Sequence, residues 1–121
     1  MILTVLMLLT QSAAGAVPAP TAAVLQPAFR NTIVSTYPDG RTARLWLSAD
    51  GTYAGQGRRG GRNSGVWRLR GSEICMSQRR PVPVPIQYCT PVMQGGVGTR
   101  WTAKAVTGET IQVQVVAGRQ N

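Results

Sequence analysis

Two segments of the chain, Tyr37-Pro38-Asp39-Gly40 and Ser48-Ala49-Asp50-Gly51, repeat one turn chemistry about eleven residues apart. Each places Gly after Asp, which suits a type I turn closed by a residue at positive φ: the three-residue hairpin with a bulge. Such spacing leaves room for one short strand between turns and fits an all-β meander. No later stretch repeats apolar residues at i, i+3, i+4 and i+7, so no helix is expected.

Turns fix registers, and a slip of one residue would invert both faces of a strand. The first turn sets Ile33 opposite Leu45 and Ser35 opposite Ala43; the second sets Leu47 opposite Tyr53. Arg70-Gly71-Ser72-Glu73 suits a two-residue hairpin with Gly at its first central position. There Leu69 meets Ile74 and Trp67 meets Met76, while Arg70 meets Glu73 as an opposite-charge pair on the other face. Near the C-terminus a connection around Thr107-Gly108-Glu109 predicts Ala105 against Ile111, Ala103 against Val113 and Trp101 against Val115. Lys104, Thr102, Gln112 and Gln114 then share the opposite face.

An antiparallel sheet with one apolar face must cover that face. With no helix to do so, the sheet covers itself. The expectation is a single antiparallel meander of seven or eight short strands, curled into a small barrel or a sandwich. Ala43, Ala103 and Ala105 among Trp67, Trp101, Leu45 and Leu47 supply the mixture of small and large side chains that a narrow interior needs.

The segment Ile2 to Leu9 is an unbroken apolar run, about half the length that crosses a bilayer. Ala14-Gly15-Ala16 follows it as an A-x-A cleavage site, so residues 1–16 read as a signal peptide, although no Lys or Arg precedes the run. No Cys follows the run as a lipobox and no Arg pair precedes it, which argues against a lipid anchor and against twin-Arg export. Residues 17–28, rich in Pro and Ala, read as a flexible leader, and 29–119 as the β domain, with no transmembrane segment in the mature chain. Export to periplasm or medium makes the only two cysteines, Cys75 and Cys89, a disulfide. Alternation puts both on the polar face, tying strands on the outside of the sheet. Between them Arg79-Arg80-Pro81-Val82-Pro83-Val84-Pro85 reads as an extended, polyproline-like loop.

The composition excludes much. There is no His among 121 residues, and the four acids are Asp39, Asp50, Glu73 and Glu109. Two occupy turns, one is paired in a hairpin and one is beside another turn, so no convergent carboxylates serve general acid–base work. The chain is therefore not expected to be an enzyme, to bind a metal or to carry a cofactor.

Thirteen Lys and Arg against those four acids give a net charge of +9. Gly57-Arg58-Arg59-Gly60-Gly61-Arg62 packs three Arg into a Gly-rich loop, and Arg79-Arg80 form a second cluster. Arg44, Arg68 and Arg70 fall on the polar face. Arg binds phosphate bidentately, and so basic a surface attracts polyanions. These eight residues are candidates for anion binding, the alternative being a solvated face whose Arg excess is compositional. Trp46 alternates outward with Thr32, Arg44 and Ala54, so it reads either as an exposed contact residue or as one covered by the Pro-rich loop.

The runs at 36–47 (TYPDGRTARLWL), 49–53 (ADGTY) and 64–75 (SGVWRLRGSEIC) resemble small exported β-proteins of Gram-negative bacteria over about half the chain. That resemblance implies export and an antiparallel, barrel-like fold, and carries over no active site. A weaker similarity is to periplasmic inhibitors of lysozyme and of secreted proteases. Lysozymes are typically basic, so the charge argues against the lysozyme version. The expected function is a non-catalytic binding module contacting anionic lipid, polysaccharide or a secreted protein, with specific nucleic-acid recognition not expected. One alternative is an inhibitor of a secreted hydrolase presenting loop 57–63 or 79–85. Another is a binder of a small apolar ligand, unless Trp67, Trp101, Met76 and Tyr53 fill the interior.

Overall fold

The computed structural model describes residues 25–92 and 95–119. The signal peptide expected at 1–16, and the leader as far as Val24, lie outside them. Eight strands follow a single turn of helix: α1 (Gln26–Arg30), β1 (Thr32–Thr36), β2 (Thr42–Leu47), β3 (Thr52–Gln56), β4 (Arg62–Arg70), β5 (Glu73–Arg80), β6 (Tyr88–Pro91), β7 (Arg100–Lys104) and β8 (Thr110–Val116). All pair antiparallel in one sheet ordered β6-β5-β4-β3-β2-β1-β8-β7. The sheet curls into a nearly closed barrel in which β6 and β7 face each other without a ladder. Tyr88 spans that seam, its hydroxyl donating to the Lys104 carbonyl at 2.5 Å.

One turn geometry recurs four times. The N–H of Gly40, Gly51, Gly60 and Gly108 donates to the carbonyl three residues earlier, at 2.9, 3.1, 2.9 and 2.9 Å. Each of these glycines has a φ between 83° and 95°, which an L side chain avoids. The pairs Ile33–Leu45, Ser35–Ala43 and Leu47–Tyr53 follow from the first two turns, and Leu69–Ile74, Trp67–Met76 and Arg70–Glu73 from the Gly71-Ser72 hairpin.

At the last hairpin the expected register is corrected by two residues. Trp101 faces Val113 and Ala103 faces Ile111. The loop closes between Ala105 and Glu109, whose N–H and carbonyl bond at 2.8 Å, so Gly108 is the third loop residue and not its centre. An even shift preserves the faces, and Ile111, Val113 and Val115 remain inside, each about 5% exposed.

The leader also ends earlier than expected, and a helix is present. Pro27 in the first turn has a φ preset for helix. The turn lies on β1 and β2 and buries Leu25 and Ala28 with Leu47, Tyr53, Trp67 and Ile74. Phe29 stacks on Trp67 at 5.8 Å. Five residues plug one end of the barrel but form no helical layer, so the sheet covers its own apolar face. A second cluster, Ala105, Ile111 and Val113 with Tyr37 and Trp101 against it, fills the other end.

Candidate functional site

The eight candidate arginines are sorted by the fold into different surroundings. Arg58 leaves the anion-binding set. It sits in the β3–β4 turn, with its guanidinium carbon 4.2 Å from the centre of the Tyr37 ring. Its Nη2 donates to Glu109 Oε2 at 2.7 Å, and Nη1 lies 3.7 Å from Asp39 Oδ2. Three hairpin tips distant in sequence are thereby tied across one end of the barrel. Burial pushes the Tyr37 hydroxyl pKa up, against the pull of Arg58. Glu109 is held below the ordinary carboxylate value chiefly by the Thr107 hydroxyl, with Arg58 adding to it.

Arg44 and Arg62 flank Gln56 in one lateral row of the outer face. Arg44 is half-buried, and its Nε is enclosed without a hydrogen-bond partner. Arg59 is exposed at the tip of the turn and Arg80 at the end of β5. None of these four lines the depression that Arg68 and Arg79 share.

That depression, about 270 Å³, lies on the outer face of β4 and β5. Arg68 and Arg79 line it, with Cys75, Ser77 and Gln87. Arg70 reaches the same Gln87, donating from Nη1 to Oε1 at 3.3 Å, and Gln87 Nε2 donates to Ser77 Oγ at 3.3 Å. So although Arg70 faces Glu73 in register, its guanidinium is turned toward the depression. No carboxylate lines it. Gln87 carries no charge and follows three prolines, so neither of the signals that marked the arginines marked this residue.

Below the arginines is the disulfide. Cys75 and Cys89 are directly opposite on β5 and β6 and are bridged. The bridge is on the outer face, as alternation implies, yet Cys75 is only 1% exposed. Glu73 lies close to both sulfurs, but sulfurs bonded to each other offer a metal no thiolate.

Trp46 is on the outer face but 3% exposed, which corrects its reading as an exposed contact residue and agrees with a covered one. The Pro-rich loop is not what is tied there. Residues at the C-terminal side of β8 are. Trp46 Nε1 donates to Thr32 Oγ1 at 3.0 Å, and Thr32 Oγ1 donates to the Gly118 carbonyl at 2.7 Å. Gly118 N–H donates to Asn31 Oδ1 at 2.9 Å, and Arg119 donates to the carbonyls of Phe29 and Leu47. The tail is a strap over this face.

Inside the barrel, Trp67 and Tyr53 are buried and fill the α1 end, whereas Trp101 and Met76 are half-buried. A cavity of about 110 Å³ remains between the two core clusters, lined by side chains such as Leu25, Ile33, Leu45, Trp101, Ile111 and Val113. The interior is therefore not full. Comparison with protein-family models, with curated proteins and with solved structures finds no match to this chain. Of what the sequence resemblance implies, the antiparallel, barrel-like fold stands on the structure itself. Among the described residues no helix is long and apolar enough to cross a membrane.

Proposed function

We propose that this chain is an exported, non-catalytic binding module that takes anionic groups of envelope lipid or polysaccharide at the depression lined by Arg68 and Arg79, beside which Arg70 bonds to Gln87. The observation that carries the reading is that depression: two arginines, Arg68 and Arg79, line it and no carboxylate does. Guanidinium groups donate in a planar fork that matches phosphate and carboxylate oxygens. Three of the four acids are engaged elsewhere: Asp39 and Glu109 lie on Arg58, and Asp50 accepts from Thr52. Glu73, beside the disulfide, is the acid near the depression. A cross-strand disulfide fits an oxidising compartment, in keeping with export.

The test is binding to vesicles of anionic phospholipid and to a phosphorylated polysaccharide, measured as the salt concentration is raised. Binding at low ionic strength should fade toward about 0.15 M and beyond, as screening shortens the reach of the charges. The double variant Arg68→Ser/Arg79→Ser should lose it. The variant Arg30→Ser/Arg100→Ser removes the same charge elsewhere and should retain most of it. Equal losses in the two variants would reduce the effect to net charge, and no binding at low salt would end the proposal.

A second reading, inhibition of a secreted protease, has one observation in its favour. The loop after β5 holds Val82 at 61% exposure and Val84 at 39%, as a segment offered to a partner's cleft would. Loop 57–63 suits that role less, because Arg58 is engaged with Tyr37 and Glu109. A panel of secreted proteases with undiminished turnover in the presence of the protein would discard it.

A further inference from the structure

The seam between β6 and β7 borders a groove of about 780 Å³. Met76, Tyr88, Thr90, Pro91 and Ala103 line both this groove and the 110 Å³ interior cavity. The two spaces adjoin at those residues. The cavity lining has no charged residue, and the groove has one, Lys104. Lys104 is exposed on β7, its Nζ donating to Thr110 Oγ1 at 2.9 Å. Ile86 and Val106, 76% and 78% exposed, add apolar surface to the groove.

The cavity lining is mostly apolar, with Ser35, Tyr88 and Thr90 among its polar members, and apolar space of this order admits nonpolar groups about the size of a benzene ring. A chain of several methylenes is narrow enough to pass a seam that has no ladder, displacing the Tyr88–Lys104 hydrogen bond as it enters. We infer that the seam and cavity together bind a single-chain anionic amphiphile: its alkyl end enters the cavity past Tyr88 and Ala103, and its anionic head lies against Lys104. The charge pattern selects the occupant. A neutral lipid would leave Lys104 unused, and a cationic one would be repelled by it. Both sites use β5, and Gln87 lines the groove as well as the depression, but neither Arg68 nor Arg79 lines the groove or the cavity.

The probes are hexanoate, octanoate, 1-octanol and octylammonium below their aggregation concentrations. Trp101 fluorescence and nuclear Overhauser contacts from alkyl protons to the methyls of Ile111 and Val113 serve as readouts. Octanoate should bind more tightly than hexanoate by about fourfold per added methylene, and more tightly than octylammonium. Lys104→Gln should weaken octanoate about fivefold while leaving 1-octanol unchanged, and Ala103→Phe should abolish both. Arg68→Ser/Arg79→Ser should leave octanoate binding intact, so that failure here and failure of the anionic-surface reading are told apart. Should Ala103→Phe not fold, the chain-length series and the methyl contacts on the wild type decide alone. Absence of those contacts, affinity independent of chain length, or equal affinity for octanoate and octylammonium would overturn the inference.

Discussion

Arg58 and Glu109, 51 positions apart in sequence, are joined by a 2.7 Å charge-assisted hydrogen bond across the mouth of the barrel. The same guanidinium covers the Tyr37 ring, so one side chain holds the tips of the β1–β2, β3–β4 and β7–β8 hairpins. Its removal should be felt as a loosening of that end.

Arg58→Met should therefore lower stability by about 1 kcal/mol, the sum expected of a cation–π contact and a partly shielded ion pair. Urea unfolding measures the loss. Hydrogen exchange should quicken at the N–H groups of Gly40, Gly60 and Gly108 but not at those of the Gly71 turn.

Acid should weaken the fold through Glu109 and Asp50. Both hold their charge to lower pH in the native state than in the unfolded chain, Asp50 mainly through the Thr52 hydroxyl and Glu109 mainly through that of Thr107. The unfolded state thus takes up protons first as pH falls, and the stabilisation, complete at neutral pH, declines below the ordinary glutamate value of 4.5. Urea midpoints measured from about pH 6 to pH 3 should fall, and Thr107→Val should make the fall shallower.

Gly65 tolerates no side chain. A Cβ there would overlap the Ser77 carbonyl oxygen and lie 2.9 Å from the Tyr53 ring, at the bulge between β4 and β5. Gly65→Ala should destabilise by about 3 kcal/mol or more, the upper end of overpacking costs. Calorimetry should show a lowered Tm, and a Tm within a degree or two of wild type would contradict the close approach.

The strap over Trp46 predicts a change in quenching. Deleting residues from Ala117 onward removes the Gly118 carbonyl that accepts from Thr32, and with it the Arg119 contacts. Acrylamide, which should scarcely reach Trp46 in the intact chain, should then quench it. Trp46→Phe should cost about 1 kcal/mol for the lost indole hydrogen bond.

Cys75→Ala/Cys89→Ala should cost about 3 kcal/mol if release of loop closure in the unfolded state dominates. Because Cys75 is buried, a thiol reductant should open the bridge in the folded protein far more slowly than in urea.

Most of the ladder was legible because a turn is local. Asp39-Gly40 and Asp50-Gly51 announce both the loops and the register of three strands, β1 to β3. The β7–β8 loop has the same geometry but neither Pro nor Asp before its Gly, so its centre was misplaced by one residue and its register by two. Alternation told which face Trp46 and Cys75 occupy, but the cover over Trp46 comes from residues more than seventy positions away, which no local pattern encodes. Arg58 failed for a related reason. A run of arginines looks uniform until the fold decides which one meets Asp39 and Glu109. The α1 turn is too short to display a helical period, and Pro27 was its sole signal. The interior cavity depends on how Trp101 and Met76 pack, a matter of volumes in three dimensions.

The ladder between Thr32–Thr36 and Gln112–Val116 has a kinetic consequence. Every other pairing links neighbours in the chain, whereas this one encloses some eighty residues and is entropically the most demanding to close. During synthesis on the ribosome β1 therefore waits with one edge unsatisfied until the final strand emerges. Its alternation of Ile33 and Val34 is then open to any other extended segment nearby, and the arrival of Thr110–Val116 ends that exposure.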